Sequence, residues 1–78
     1  MSRETKEQLA ERVSRDNNAA AKVPVGSSYI DPVFGQVTLV GLTDIDAPDD
    51  WDIYKVHHSG YDTFWSSALI ARKFERQS

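Results

Sequence analysis

The N-terminal part of the chain is polar, and its few apolar residues recur at the spacing of a helix. Residues 3–20 are rich in good helix formers and contain no Gly or Pro, which predicts a helix with Ser2 as its N-cap. Its apolar stripe consists mainly of Leu9 and Val13. A stripe this narrow lets a helix dock by one edge, pair with another chain or fray. We therefore expect residues 1–22 to form a loosely docked helix.

Residues 36–45, QVTLVGLTDI, form the clearest apolar run and predict a β-strand. Strand alternation places Val37 and Leu39 on one face and Val40 and Leu42 on the other. A sheet with both faces partly apolar suits a central strand or the wall of a small barrel. Gly41 inside the run predicts a bulge.

Residues 51–58, WDIYKVHH, predict a second strand, followed by a turn in which Gly60 takes a positive φ. Residues 63–65 are then predicted to pair back onto that strand. Residues 66–77 fit either a helix capped by Ser66 or a strand, with the helix favoured by its basic C-terminal end.

Residues 22–35 are punctuated by Pro and Gly, and predict a connector with a short edge segment at 28–30 and a turn at 31–35. The predicted fold is α+β: an N-terminal helix, a small antiparallel sheet of three or four strands, and a short C-terminal helix or strand. Residues 23–78 are expected to form the β-rich domain. By analogy of strand count and spacing, such a bent sheet can close into an SH3-like barrel.

The absence of cysteine excludes disulfides, thiolate zinc sites and cysteine nucleophiles. A small domain without disulfides fits a reducing compartment, so a cytoplasmic location is expected. The N-terminal residues show no apolar signal segment, and no apolar run approaches the length of a membrane span. We expect no membrane association.

The net charge of −3 is spread unevenly along the chain. Residues 1–22 carry a net charge of +1, and residues 23–78 carry −4. Five aspartates fall within nine residues: Asp44, Asp46, Asp49, Asp50 and Asp52. An acidic domain disfavours non-specific nucleic-acid binding, which depends on Lys and Arg, and is compatible with a basic partner.

Metal and catalytic chemistry find little support in the sequence. His57 and His58 are adjacent on a predicted strand and point to opposite faces, so they cannot readily share a metal ion, although one could meet an Asp from the 44–52 loop. That loop begins like a calcium-binding EF-hand, but Pro48 and Asp49 occupy the positions that need a ligand and a glycine. Phosphate-binding and nucleophile motifs are absent. We expect no cofactor, no metal and no enzymatic activity.

Residues 51–65 contain five of the eight aromatic side chains. A small domain needs large aromatic residues in its core, so Trp51 or Trp65 is expected to be buried together with Phe64. Tyr54 and Tyr61 are then expected to be partly exposed, where tyrosine favours protein interfaces.

These observations predict a small protein-binding module, inhibitor-like in character. It is expected to occupy the surface of a basic or nucleic-acid-binding protein partner through the acidic loop, Tyr54 and Tyr61. In size and charge it is similar to phage or mobile-element inhibitors such as anti-CRISPR proteins and DNA mimics, an analogy without homology. One alternative is a nucleic-acid-binding small β-barrel regulator. Another is a structural subunit, in the simplest case a homodimer, that oligomerises through the N-terminal helix.

Overall fold

The computed structural model describes residues 4–75. One helix precedes the four-stranded sheet in the chain and a second helix follows it, which confirms the α+β prediction. The elements in chain order are α1 (Lys6–Ala21), β1 (Ser28–Asp31), β2 (Gly35–Leu42), β3 (Ile53–His58), β4 (Tyr61–Ser66) and α2 (Ser67–Glu75). A short turn, Pro48–Asp50, lies between β2 and β3. The C-terminal segment is thus a helix, the favoured alternative.

The α1 helix begins at Lys6 because Thr5 and Gln8 form a capping box. The Thr5 hydroxyl accepts the Gln8 N–H at 3.1 Å, and the Gln8 side-chain oxygen accepts the Thr5 N–H at 2.9 Å. These two bonds satisfy donors that the first helical turn leaves free. The predicted start at residue 3 is therefore wrong, and the predicted cap, Ser2, lies outside the described residues.

The sheet is an antiparallel meander in the order β1-β2-β3-β4. Ser59 and Gly60 connect β3 to β4 with φ values of 57° and 86°. Two consecutive positive φ values characterise the type I′ turn, whose twist matches that of a two-residue hairpin. Within residues 4–75, β1 and β4 pair with only one strand each, so the sheet is open and the SH3-like barrel is not observed.

The predicted bulge in β2 is present. Leu39 lies opposite Val56, but Gly41 lies opposite the preceding residue Lys55, so Val40 is the extra residue between them. A bulge of this kind adds local twist and bend to its strand. In this strand Val37 and Leu39 are fully buried, and the extra residue Val40 is exposed.

Both helices cover one face of the sheet, and the core lies between the two layers. Leu39, Val56 and Ile70 are fully buried there. Ala20 of α1 is also fully buried in this cluster, and Val13 is 3% exposed. The thin apolar stripe of α1 is therefore in contact with the rest of the chain, chiefly with α2.

The register of the β3–β4 hairpin decides which aromatic residues are buried. Tyr54 pairs with Trp65 on the helix-covered face, and both are buried. Phe64 pairs with Lys55 on the opposite face and is 52% exposed. The expectation that Trp51 or Trp65 is buried is met by Trp65, since Trp51 is only half-buried. The expected burial of Phe64 and exposure of Tyr54 are wrong. Adjacent residues of a strand face opposite ways, so Phe64 and Trp65 cannot share the core.

Candidate functional site

The acidic loop, residues 44–52, connects β2 to β3 at one end of the sheet and carries all five clustered aspartates. Four of these side chains are exposed, and Asp52 is half-buried. The ion pairs among residues 4–75 are Arg12–Glu4, His57–Asp62 and Lys73–Asp31, so none involves the loop. Uncompensated carboxylates at one end of a small domain create a local negative potential.

Asn17 of α1 holds the backbone of this loop. Its Oδ1 atom accepts the N–H of Asp52 at 3.0 Å, and its Nδ2 atom donates to the carbonyl of Asp50 at 3.0 Å. The same Oδ1 atom accepts the hydroxyl of Ser67, whose N–H donates to the Asp52 carbonyl at 2.8 Å. One amide side chain thus joins α1, the acidic loop and the first residue of α2.

The loop backbone adopts the left-handed conformation at two successive positions. Asp49 and Asp50 have φ values of 61° and 66°. Among residues with a Cβ atom, Asp and Asn enter this region with comparatively little difficulty because their short side chains bond locally. Aspartate at these positions therefore fits the turn as well as supplying charge.

Apolar side chains lie beside the carboxylates. Leu42 is 60% exposed and Ile45 is 45% exposed. Trp51 is half-buried, and the Arg12 guanidinium lies 5.5 Å from the centre of its ring. Arg12 also donates two hydrogen bonds to Glu4, which raise the pKa of Arg12. A shallow depression of about 340 Å³ is bordered by Trp51, Ile45 and four of the five aspartates.

The two tyrosines predicted at the site do not join the acidic loop at its surface. Tyr54 is 5% exposed and faces the core, where burial, with a further contribution from the Asp52 charge, raises the pKa of its hydroxyl. Tyr61 is 57% exposed, as expected, but it pairs with His58 at the far end of β3. Five strand steps separate His58 from Ile53 at the loop end, a distance of about 17 Å.

The histidines point to opposite faces, as predicted. The exposed His57 places Nδ1 2.8 Å from Asp62, its cross-strand neighbour, and not near an aspartate of the 44–52 loop. The buried His58 packs against the rings of Phe34, Tyr61 and Trp65. Within residues 4–75, no three His, Asp or Glu side chains are grouped so that they could hold a metal ion.

Asp31, which the sequence pattern places in a turn, is a buried carboxylate. It accepts the Tyr29 hydroxyl at 2.7 Å and the N–H groups of Val33 and Phe34, and Lys73 lies 3.1 Å away. These bonds, with that from Tyr29 the strongest, hold the pKa of Asp31 far below its usual range. The Asp-Pro turn signal could have identified the two backbone bonds, but the link to α2 depends on tertiary packing.

Comparison of the chain with protein-family models, curated proteins and solved structures gave no match in any of the three. Neither described helix has the length and apolar character needed to cross a bilayer. The site is consequently defined by its own geometry: an unpaired carboxylate array, fixed by Asn17 and bordered by Leu42 and Ile45.

Proposed function

We propose that this protein is a small, non-enzymatic binding module whose acidic loop occupies a basic surface of a protein partner. The observation that carries the proposal is the set of five clustered aspartates without an ion pair inside residues 4–75. Such an array accelerates encounter with a basic surface and disfavours acidic ones. The exposed Leu42 and Ile45 add apolar area that becomes buried on contact.

The restraint of the loop by Asn17 favours the same function. A charged loop that must become ordered on binding loses part of its interaction energy to conformational entropy. The bonds from Asn17 to Asp50 and Asp52 supply much of that order in the free protein. The array therefore meets a partner with its backbone already arranged.

A partner whose basic surface normally binds nucleic acid is the class we favour. Its lysines and arginines are arranged to contact phosphates, and closely spaced carboxylates can occupy the same positions. Binding there would block the partner, which is the inhibitor-like role that phage and mobile-element anti-defence proteins exemplify. Tyr61 and Tyr54 are not part of this proposed surface, because one lies at the far end of β3 and the other in the core.

The structure offers less to the two alternatives. A nucleic-acid-binding surface needs free cations, and two of the seven Lys and Arg residues within residues 4–75 are already engaged, Arg12 with Glu4 and Lys73 with Asp31. Assembly through α1 needs a free apolar stripe, but Val13 and Ala20 are buried within the chain. These contacts leave the acidic loop as the best-supported surface.

The test compares two variants with the same change in net charge. One replaces Asp44, Asp46 and Asp49 with Asn, which suits the left-handed backbone at Asp49. The matched control replaces Glu7, Glu11 and Asp16, which lie on α1 and form no ion pair within residues 4–75, with their amides and leaves the loop intact. The wild type and both variants are used to capture partners from host lysate with and without nuclease treatment, with elution by increasing salt and identification by mass spectrometry.

We expect the wild type and the control to retain the same basic protein, and the loop variant to release it at lower salt. Because charge-driven binding is screened by ions, the shift in elution salt measures the electrostatic contribution of the loop. Equal retention by the loop variant and the wild type would contradict the proposal. Recovery that disappears with nuclease treatment would favour the nucleic-acid-binding alternative.

A further inference from the structure

The two edges of the sheet differ in how they are protected against pairing with another strand. The β1 edge is four residues long and ends with Asp31, which points inward and is 2% exposed, followed by Pro32. Short strands, inward-facing charges and proline are all devices that block strand addition. The β4 edge is six residues long, contains neither Pro nor Lys, and pairs with β3 without a bulge. It therefore lacks the usual protection.

The hairpin register shows which backbone groups of β4 face outward. In a two-residue hairpin the residues that flank the turn form a hydrogen-bonded pair, and every second pair beyond it repeats the pattern. His58 and Tyr61 flank the turn, so the inward-bonded residues of β4 are Tyr61, Thr63 and Trp65. The N–H and C=O groups of Asp62 and Phe64 and the N–H of Ser66 point to the free edge, where no strand of residues 4–75 pairs with them. The carbonyl of Ser66 is engaged as the first acceptor of α2, which begins at Ser67.

The side chains of these three residues suit an interface. Phe64 is 52% exposed on the open face of the sheet, the face away from α1 and α2. Asp62, the only charged residue of β4, already has His57 Nδ1 2.8 Å from its carboxylate. An aromatic side chain at the centre of an exposed edge strand is an unusual feature for a monomer's surface.

We propose that β4 is a dimerisation edge that pairs antiparallel with β4 of a second copy of this chain, with the two-fold axis at Phe64. In this register Phe64 lies opposite Phe64 of the second copy, and Asp62 lies opposite Ser66 of the second copy. Phe64 then exchanges two hydrogen bonds with Phe64 of the second copy, and the N–H of Ser66 donates to the Asp62 carbonyl of the second copy. The interface is self-complementary, as a two-fold axis requires. A register centred on Asp62 would instead place two carboxylates face to face.

The resulting dimer has one continuous sheet of eight strands with adjacent Phe64 rings on its open face. Cross-strand aromatic pairs of this kind stabilise antiparallel sheets. Since Ser66 lies at the acidic-loop end of β4 and the two strands run antiparallel, the two acidic loops lie at opposite ends of the dimer. The dimer would present two copies of the carboxylate array, but the proposal stands independently of any partner for that loop.

Sedimentation equilibrium of the full chain tests the proposal, from about 1 μM to about 1 mM, a range that covers weak and moderate dimers. The first variant, Phe64→Lys, adds an edge charge. The second, Phe64→Pro, removes an outward N–H and spares the β3–β4 bonds. The control, Ile30→Lys, makes the same change at a side chain that is 68% exposed on the other edge.

We expect the wild type and Ile30→Lys to reach twice the chain mass of 8.8 kDa with similar dissociation constants. Both Phe64 variants should dimerise at least about tenfold more weakly, with far-UV circular dichroism unchanged. The Phe64 amide should also exchange more slowly with deuterium as the wild-type concentration rises. A wild type that stays monomeric, dimers that persist in both Phe64 variants, or an equal loss in Ile30→Lys would each overturn the proposal.

Discussion

The Oδ1 atom of Asn17 accepts a hydrogen bond of 3.0 Å from the backbone N–H of Asp52, which lies 35 residues later in the sequence. This contact ties the middle of α1 to the point where the acidic loop enters β3. Since the same side chain also bonds to Asp50 and Ser67, three separate segments depend on one residue. The geometry of the charged loop is therefore set by the docking of α1 as much as by the loop's own sequence.

Replacement of Asn17 by Ala is expected to lower the free energy of unfolding by about 1–3 kcal/mol, because partly buried polar groups lose their partners. The adjacent Asn18→Ala is the matched control, since Asn18 is exposed and makes no side-chain hydrogen bond within residues 4–75. Urea unfolding measures both values. Hydrogen exchange should also become faster at the Asp52 amide in Asn17→Ala alone. Equal stability of the two variants would show that the bonds to Asn17 contribute little.

The buried carboxylate of Asp31 predicts a loss of stability in acid. Its bonds to Tyr29 and the turn amides hold the folded pKa below the value of about 3.9 found in unfolded chains. The ionised group therefore stabilises the fold above that pH, and the contribution is lost as the pH falls further. The Asp31→Asn variant should be less stable than the wild type at pH 6, and its stability should fall less steeply below about pH 4. Parallel curves from urea unfolding would contradict this assignment.

Tyr29 predicts the opposite dependence in alkali. Burial, together with the hydrogen bond to Asp31, raises the pKa of Tyr29 above that of an unfolded tyrosine, about 10. Its contribution is complete below that pH and is lost as the pH rises, because the unfolded chain releases the proton first. The Tyr29→Phe variant should lose less stability between about pH 9 and about pH 11 than the wild type does. Tyr54 shifts in the same direction, so part of the alkaline loss should remain.

The β3–β4 turn gives a prediction that depends mainly on backbone conformation, although the Ser59 hydroxyl also lies 3.1 Å from Nδ1 of His58. Gly60 has a φ of 86°, and a Cβ atom there would meet nothing within 4 Å. The Gly60→Ala variant should therefore be destabilised by about 1–2 kcal/mol through the left-handed backbone itself. Ser59→Asn should stabilise the hairpin by up to about 1 kcal/mol, since Asn-Gly is preferred in a type I′ turn. Thermal unfolding should shift in opposite directions for the two variants, and a shift in the same direction would count against this turn type.

The two leucines of β2 test the bulge and the burial pattern together. Leu39 is fully buried, and Leu39→Ala should cost about 2–5 kcal/mol through lost contacts and a cavity. Leu42 lies three positions later and is 60% exposed, so Leu42→Ala should change stability by no more than about 0.5 kcal/mol. Similar losses in denaturant unfolding for the two variants would indicate a different strand register.

Local patterns predicted the elements well where the signal lies in neighbouring residues. The run around Leu39, the bulge beside Gly41 and the Gly60 turn all follow from side-chain alternation or backbone freedom. The predicted start of α1 was wrong because two capping signals, at Ser2 and Thr5, compete in one short polar segment. Phe64 and Tyr54 were assigned to the wrong environments, since aromatic type alone does not show which face of a strand the helices cover.

The candidate site divides in the same way. The order of residues by itself determined that five aspartates cluster in one loop, and the absence of cysteine limited the possible chemistry. Only the tertiary structure decided that Asn17 fixes that loop, that Asp31 is buried beneath α2, and that Tyr61 lies at the opposite end of β3. Each of these facts joins residues that are distant in sequence or depends on strand direction. Such relationships arise from packing two helices on one face of an open sheet, and no local pattern of residues specifies them.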